Sequence, residues 1–192
     1  MTDVAGAVLA ALRRSAGRAR LKIGVFYRGN PGLLCSLLAE GHATVVAGDR
    51  FRVLFRAAER LGFPGERPFA IVEARFTALP FRPSSLDALV LTAGLPRGAD
   101  PAVAIRALTP FVRPGGAIVF PHPVTDGRRG ALVRPFFALR RGTQPPCRRD
   151  VLCASAMSAG LREISQIVPP GRGGAPWVVT AGVVGRGGDR SD

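Results

Sequence analysis

Residues 74–95 read ARFTALPFRPSSLDALVLTAGL. The second half, LDALVLTAG, is a short apolar run closed by a glycine. That is the pattern of a strand buried on both faces of a parallel sheet. The first half, with two prolines and two serines, is a loop that feeds it. The same alternation continues in both directions. LKIGVFY (21–27), ATVVAGD (43–49), FAIVEARF (69–76) and AIVFPH (117–122) are further apolar runs of strand length. Between them lie helical segments: GLLCSLLAE (32–40), RVLFRAAERLG (52–62) and DPAVAIRALTPFV (100–112). Strand and helix in repeated alternation predict an α/β fold, with helices on both faces of a mostly parallel sheet.

Local chemistry fixes several ends. Asn30-Pro31 supplies a capping side chain and then a proline at the first helical position; Gly41 stops that helix. Asp100-Pro101 repeats the signal. Val4, Val8, Leu9 and Leu12 lie at helical spacing behind Thr2 or Asp3 as cap, followed by a basic cluster from Arg13 to Lys22. Residues 150–160 are expected as a helix. LREISQIV (161–168) and APWVVTAGVVGR (175–186), around the turn-like PPGRGG, are expected as an antiparallel hairpin. We expect one domain over 1–187, with 1–20 as the N-terminal helix and basic cluster, and a frayed tail at 188–192.

Composition narrows the function. Hydrophobic residues are 47% of 192, enough for a buried core. No apolar run approaches the roughly 18 residues of a spanning helix. The apolar N-terminal stretch is followed by Arg13 and Arg14 where a signal peptide needs small residues, so it is expected as a helix. Three cysteines without framework spacing suit a reducing cytoplasm, and with only His42 and His122 besides there is no zinc pattern. The formal net charge is +14, which invites a polyanion partner. Lys22 is the single lysine among 27 basic residues, the profile a GC-rich genome of bacterial type produces, and no nucleic-acid motif accompanies the charge.

The segment at 74–95, with its ALPF turn and a strand opened by Asp87, resembles the third-to-fourth-strand passage of class I S-adenosylmethionine-dependent methyltransferases of the type 11 branch. ALTPFVRPGGAIVF resembles the family's helix, RPGG turn and fifth strand. AGLREISQIV and PWVVTAGVVGR resemble its sixth and seventh strands. The resemblance implies a Rossmann-like, seven-stranded, mostly parallel sheet ending in an antiparallel hairpin. A dinucleotide-binding oxidoreductase would want G-x-G-x-x-G at the first turn, and YRGNPG does not supply it.

The resemblance also implies a site beyond the carboxyl ends of the strands. There the family has an acid and then G-x-G-x-G. Val25 holds the acid's position, and the glycine positions fall on Tyr27, Gly29 and Pro31. If position 27 needs positive φ, a tyrosine there costs about 1–2 kcal/mol. Asp49 stands where an acid accepts from the ribose hydroxyls. Arg75 stands where an acid meets the adenine amine, with Glu73 able to substitute if the register slips by two. Thr92, closing the fourth strand, is the remaining candidate cofactor contact. Three of the four recognised positions have changed character.

Methyl transfer relies on positioning, so no fixed catalytic residue is required. LTAGLP lacks the Asn/Asp-Pro-Pro-aromatic motif of amino-methylating relatives. His122, with Asp126 four residues on, is a candidate base and orienting partner. Residues 127–149 hold seven arginines and no acid. RPFFALRR within them offers Arg134, Arg140 and Arg141 to an anionic acceptor or partner; equally, Phe136, Phe137 and Leu139 could pack on the sheet and leave the arginines to water. Arg28 could hold an anion at the helix start. The favoured expectation is a methyltransferase-fold protein with a degraded S-adenosylmethionine site, non-catalytic or weakly active, acting through protein or polyanion contacts. The alternative is an active enzyme with a remodelled glycine loop.

Overall fold

The computed structural model describes residues 2–16, 20–28, 30–48, 69–96, 98–125, 146–169 and 177–185. Helix α1 (Thr2–Ala16) precedes β1 (Lys22–Phe26), α2 (Pro31–Ala39), β2 (Ala43–Gly48), β3 (Phe69–Glu73) and β4 (Leu86–Leu91). Then come α3 (Pro101–Arg106), a 3-10 turn (Thr109–Phe111), β5 (Val112–Pro123), α4 (Arg149–Ser158), β6 (Leu161–Ile167) and β7 (Trp177–Val184). The helix expected at 52–62 lies outside the described residues.

The seven strands form one sheet in the order β3-β2-β1-β4-β5-β7-β6. β1 to β5 run parallel, and β7 lies antiparallel between β5 and β6. The hairpin expected at the end of the chain is therefore present, with its second strand inserted into the sheet. Side chains alternate across the strands. Ile23, Val25, Ala88 and Val90 join Val8 of α1 and Leu33 and Leu37 of α2 in one buried cluster. Phe26, Leu89 and Leu91 join Ile105 of α3 and Leu152 of α4 in the other. Burying each such Leu or Ile stabilises the fold by about 1.5–3 kcal/mol before chain entropy is counted.

The predicted caps form. The Asn30 carboxamide oxygen accepts from the Leu33 amide at 3.2 Å, Pro31 opens α2, and Gly41 follows it at φ +75°. One oxygen of Asp100 accepts from the Ala102 and Val103 amides at 2.8 and 3.2 Å. The helix expected over 100–112 is shorter. It ends at Arg106 and gives way to the 3-10 turn. Pro110 has no amide hydrogen to continue the α-helical ladder back to Arg106.

The RPGG motif turns out to lie within β5 rather than before it. Leu86 faces Val112 and Ala88 faces Ala117, so five residues on β5 span two on β4 and three are extra. Gly115 takes up the bulge at φ +79°. A Cβ on Gly116 would stand 2.7 Å from the Asp87 carbonyl oxygen and 2.6 Å from the Val112 Cγ1. Both glycines are thus dictated by backbone geometry. Asp87 ties the same corner together: its carboxylate accepts from the Lys22 amide at 2.8 Å and pairs with the Arg113 guanidinium at 2.7 Å. Pro121 and Pro123 lie beyond the last β4–β5 pair and face only β7, so their missing amide hydrogens cost no bond to β4.

Candidate functional site

The carboxyl ends of β1, β4 and β5 lie side by side. The chain leaving β1 is held by its own neighbours on both sides. The Tyr27 amide donates to the Ala47 carbonyl of β2 at 2.8 Å. The Thr92 amide donates to the Phe26 carbonyl at 3.1 Å. The Thr92 hydroxyl then accepts from the Arg28 amide at 2.9 Å. Pro31 has no amide hydrogen, and that of Leu33 is held by Asn30. The amides of Tyr27, Arg28 and Leu33 therefore already have partners inside the protein.

The Tyr27 side chain is 4% exposed and belongs to the buried cluster of Val8, Leu33 and Leu37. Tyr27 is not among the described residues with positive φ, so the strain expected for a side chain at this position does not arise. Burial pushes its phenol above the ordinary value, and the nearby Cys35 thiol adds to the shift. Burial likewise raises the Cys35 thiol, which donates to the Pro31 carbonyl at 2.7 Å. On the other face, Phe26 meets Phe76 edge-on, with ring centroids 5.4 Å apart. Phe76 comes from the segment leading to the ALPF turn, so that segment folds back over the end of β1.

The structure brings Tyr27, Arg28 and Thr92 together through these bonds. Arg75 stands apart: it is exposed and bridges to Ala78 just past β3. Glu73 is the last residue of β3, paired with Gly48 at the end of β2. His122 is wholly buried near the end of β5. Gly94, at φ +84°, lies so close to it that a Cβ there would stand 2.9 Å from the Pro121 carbonyl oxygen and 3.2 Å from the His122 Nδ1. Gly29, Asp49, Asp126, Arg134, Arg140 and Arg141 lie outside the described residues. Among the described residues no three His, Cys, Asp or Glu side chains gather to hold a metal ion. Nor is any helix among them long and apolar enough to cross a membrane.

Two features went unnoticed in the sequence. The Arg28–Thr92 bond joins residues 64 positions apart, and nothing local signals it. The close approach of Gly94 to β5 had a faint signal, a glycine three residues past a buried strand.

Residues 28–120 match a family model described as a methyltransferase domain. No curated protein matches the chain in sequence. Among solved structures, the S-adenosylmethionine-dependent methyltransferase SibL is similar over 93% of this chain and 54% of its own, at 19% identity and a TM-score of 0.72. Human N-acetylserotonin methyltransferase, solved with S-adenosylmethionine, is similar over 95% of this chain and 52% of its own, at 21% identity and a TM-score of 0.67. The chain thus spans about half the length of these two proteins. A Haloferax volcanii chain from the complex between the Trm112 methyltransferase activator and its methyltransferase partner is similar over 95% of this chain and 93% of its own. Its identity is 13% and its TM-score 0.69. These likenesses carry the fold, and the strand order and hairpin agree with it. The chain has the class I methyltransferase fold, and its residues 28–120 are similar to a methyltransferase domain.

Proposed function

We propose that this methyltransferase-fold protein binds S-adenosylmethionine weakly or not at all, and acts in the cytoplasm through contacts with a protein or a polyanion. The observation that carries the reading is the engaged turn after β1, where the Tyr27 and Arg28 amides are both bonded inside the protein. The segment from Lys22 to Ala39 also holds no carboxylate to receive the cofactor's ammonium. The Tyr27 phenol is neutral near pH 7 and burial raises it further, so it offers no charge in place of the missing acid. On this reading the residues at the mouth of β1 fit the cofactor's amino-acid end poorly. The likeness to a chain found in complex with an activator protein supports a role through protein contacts.

One observation favours the second reading, an active methyltransferase with a remodelled turn. The Tyr27 ring is packed into the core rather than left standing at the strand end. In that case Asp49 would anchor the ribose, with Thr92 beside the cofactor and His122 near the acceptor. Calorimetric titration with S-adenosylmethionine and S-adenosylhomocysteine separates the two. Little or no heat at micromolar ligand is expected. Micromolar binding abolished by Asp49→Ala would establish the second reading instead.

A further inference from the structure

The charge on the described surface is not spread evenly. At the carboxyl ends of the strands, Arg28, Arg75, Arg148 and Arg149 are offset by Glu73, Asp100 and Asp150. The opposite pole collects the amino ends of the strands and the last turns of the helices. There Arg13 is held by Glu40, Arg106 by the Ser158 carbonyl and Arg113 by Asp87. Arg162 and Glu163 stand side by side at the start of β6, and Arg14, Arg20, Lys22 and Arg82 are exposed with no ion pair to a described carboxylate.

All four belong to segments that meet at this end of the sheet, Arg14 on the α1 face and the Arg82 loop on the face where Phe81 packs. Arg14 is in the last turn of α1, which Arg13 fastens to the end of α2. Arg20 and Lys22 enter β1, whose first amide is held by Asp87 of the adjacent β4. Arg82 is on the loop that enters β4, and that loop is fixed to the start of β5 by the Ser84 amide on the Pro110 carbonyl at 2.8 Å. A cationic pole thus stands at the far end of the sheet from the candidate cofactor end.

We propose that this pole docks the phosphate backbone of a nucleic-acid duplex. The proposal rests on the polyanion arm of the function given above and assigns it a surface. Three of the four cations are arginines, whose planar fork matches phosphate oxygens. A protein partner would need apolar or aromatic anchors at the centre of its interface. The large apolar side chains exposed among the described residues are Val103, Val151, Met157 and Val168, on α3, α4 and the end of β6 rather than among these cations. Phe81, next to Arg82, is half-buried and packs edge-on against Phe111 with ring centroids 6.0 Å apart. Phosphate contacts without stacking suit a duplex rather than a single strand.

The test is fluorescence anisotropy of the full chain with labelled DNA and RNA duplexes of about 20 bp, titrated from about 50 to about 200 mM salt. Preference for one duplex names the source of the phosphates. The triple variant Arg20→Gln/Lys22→Gln/Arg82→Gln is expected to lose about tenfold or more in affinity and to flatten the salt slope by about 3. Arg140→Gln/Arg141→Gln is expected to bind like the parent. If the triple variant fails to fold, Arg82→Gln alone should flatten the slope by about 1. Undiminished duplex binding by the folded triple variant, or loss only in Arg140→Gln/Arg141→Gln, would overturn the proposal. So would retention of poly-glutamate in preference to both duplexes. None of these results touches the S-adenosylmethionine titration, so failure here and failure of the weak-site reading are read separately.

Discussion

The hydroxyl of Thr92 receives the amide hydrogen of Arg28 at 2.9 Å, and the Thr92 amide in turn donates to Phe26 at 3.1 Å. One residue just past β4 therefore holds the chain leaving β1 at two points, Phe26 and Arg28. Thr92 is 2% exposed, so water cannot replace its hydroxyl without rearrangement.

Thr92→Val keeps the shape and removes the acceptor. It should destabilise the fold by about 1 kcal/mol, the net worth of a hydrogen bond, or more if the amide is left wholly unsatisfied. In a chain of this length that lowers the melting midpoint by about 2–4 °C. Thr92→Ser, which keeps the oxygen, should melt close to the parent. Equal losses in Val and Ser variants, measured by thermal circular dichroism, would show that the methyl group and not the bond matters.

Asp87 makes a second prediction, at the opposite end of the same strand. Its carboxylate holds both the Lys22 amide and the Arg113 guanidinium. The side chain is only 12% exposed, which limits screening by water. Asp87→Ala should cost about 2 kcal/mol in urea unfolding, because a charged acceptor and its two donors are parted together. Arg113→Gln should cost less, since the Lys22 bond survives. The reverse ranking would mean that the ion pair, not the link to β1, holds the corner.

Alkali supplies a third. The Tyr27 phenol titrates above its ordinary value of 10.0 because it is buried, with the Cys35 thiol as the smaller cause. The folded state keeps this proton where the unfolded chain releases it. Tyr27 is therefore fully compatible with the fold below about pH 10, and stability falls as pH rises beyond that value towards its folded pKa. Tyr27→Phe removes one ionisation from this balance, so urea midpoints between about pH 9.5 and 11 should decline less steeply than in the parent. Parallel declines would show that the phenol reaches water in the folded state.

Much of the scaffold was legible because its signals are local. Asn30-Pro31 and Asp100-Pro101 cap helices through side chains two or three residues from the amides they hold. The strands of the sheet core were apolar enough to read from composition alone. Glycine and proline misled at one place. RPGG looked like a turn before β5, yet it is a bulge inside the strand, because the pairing of Leu86 with Val112 depends on a segment far away in sequence. The candidate site was harder for the same reason. Its turn could be read as poor in glycine, but the direction of the Tyr27 ring depends on packing against α1 and α2, and the Arg28–Thr92 bond on the adjacency of β1 and β4. Side-chain identity sets what a residue can offer; topology decides which neighbour receives it.

The placement of β7 has a consequence for how the molecule is built. It comes last among the described strands, yet it runs between β5 and β6 and is the sheet partner of both. A nascent polypeptide that has emerged only through residue 167 carries an uncovered apolar margin on β5 and a following strand with nothing to pair with. Biosynthesis must expose that margin until Trp177–Val184 arrives. β7 stands about sixty positions from its β5 partners (Ala117↔Val183 to Pro123↔Trp177), and pairing over such a separation closes slowly relative to local structure, which leaves the β5 margin open meanwhile.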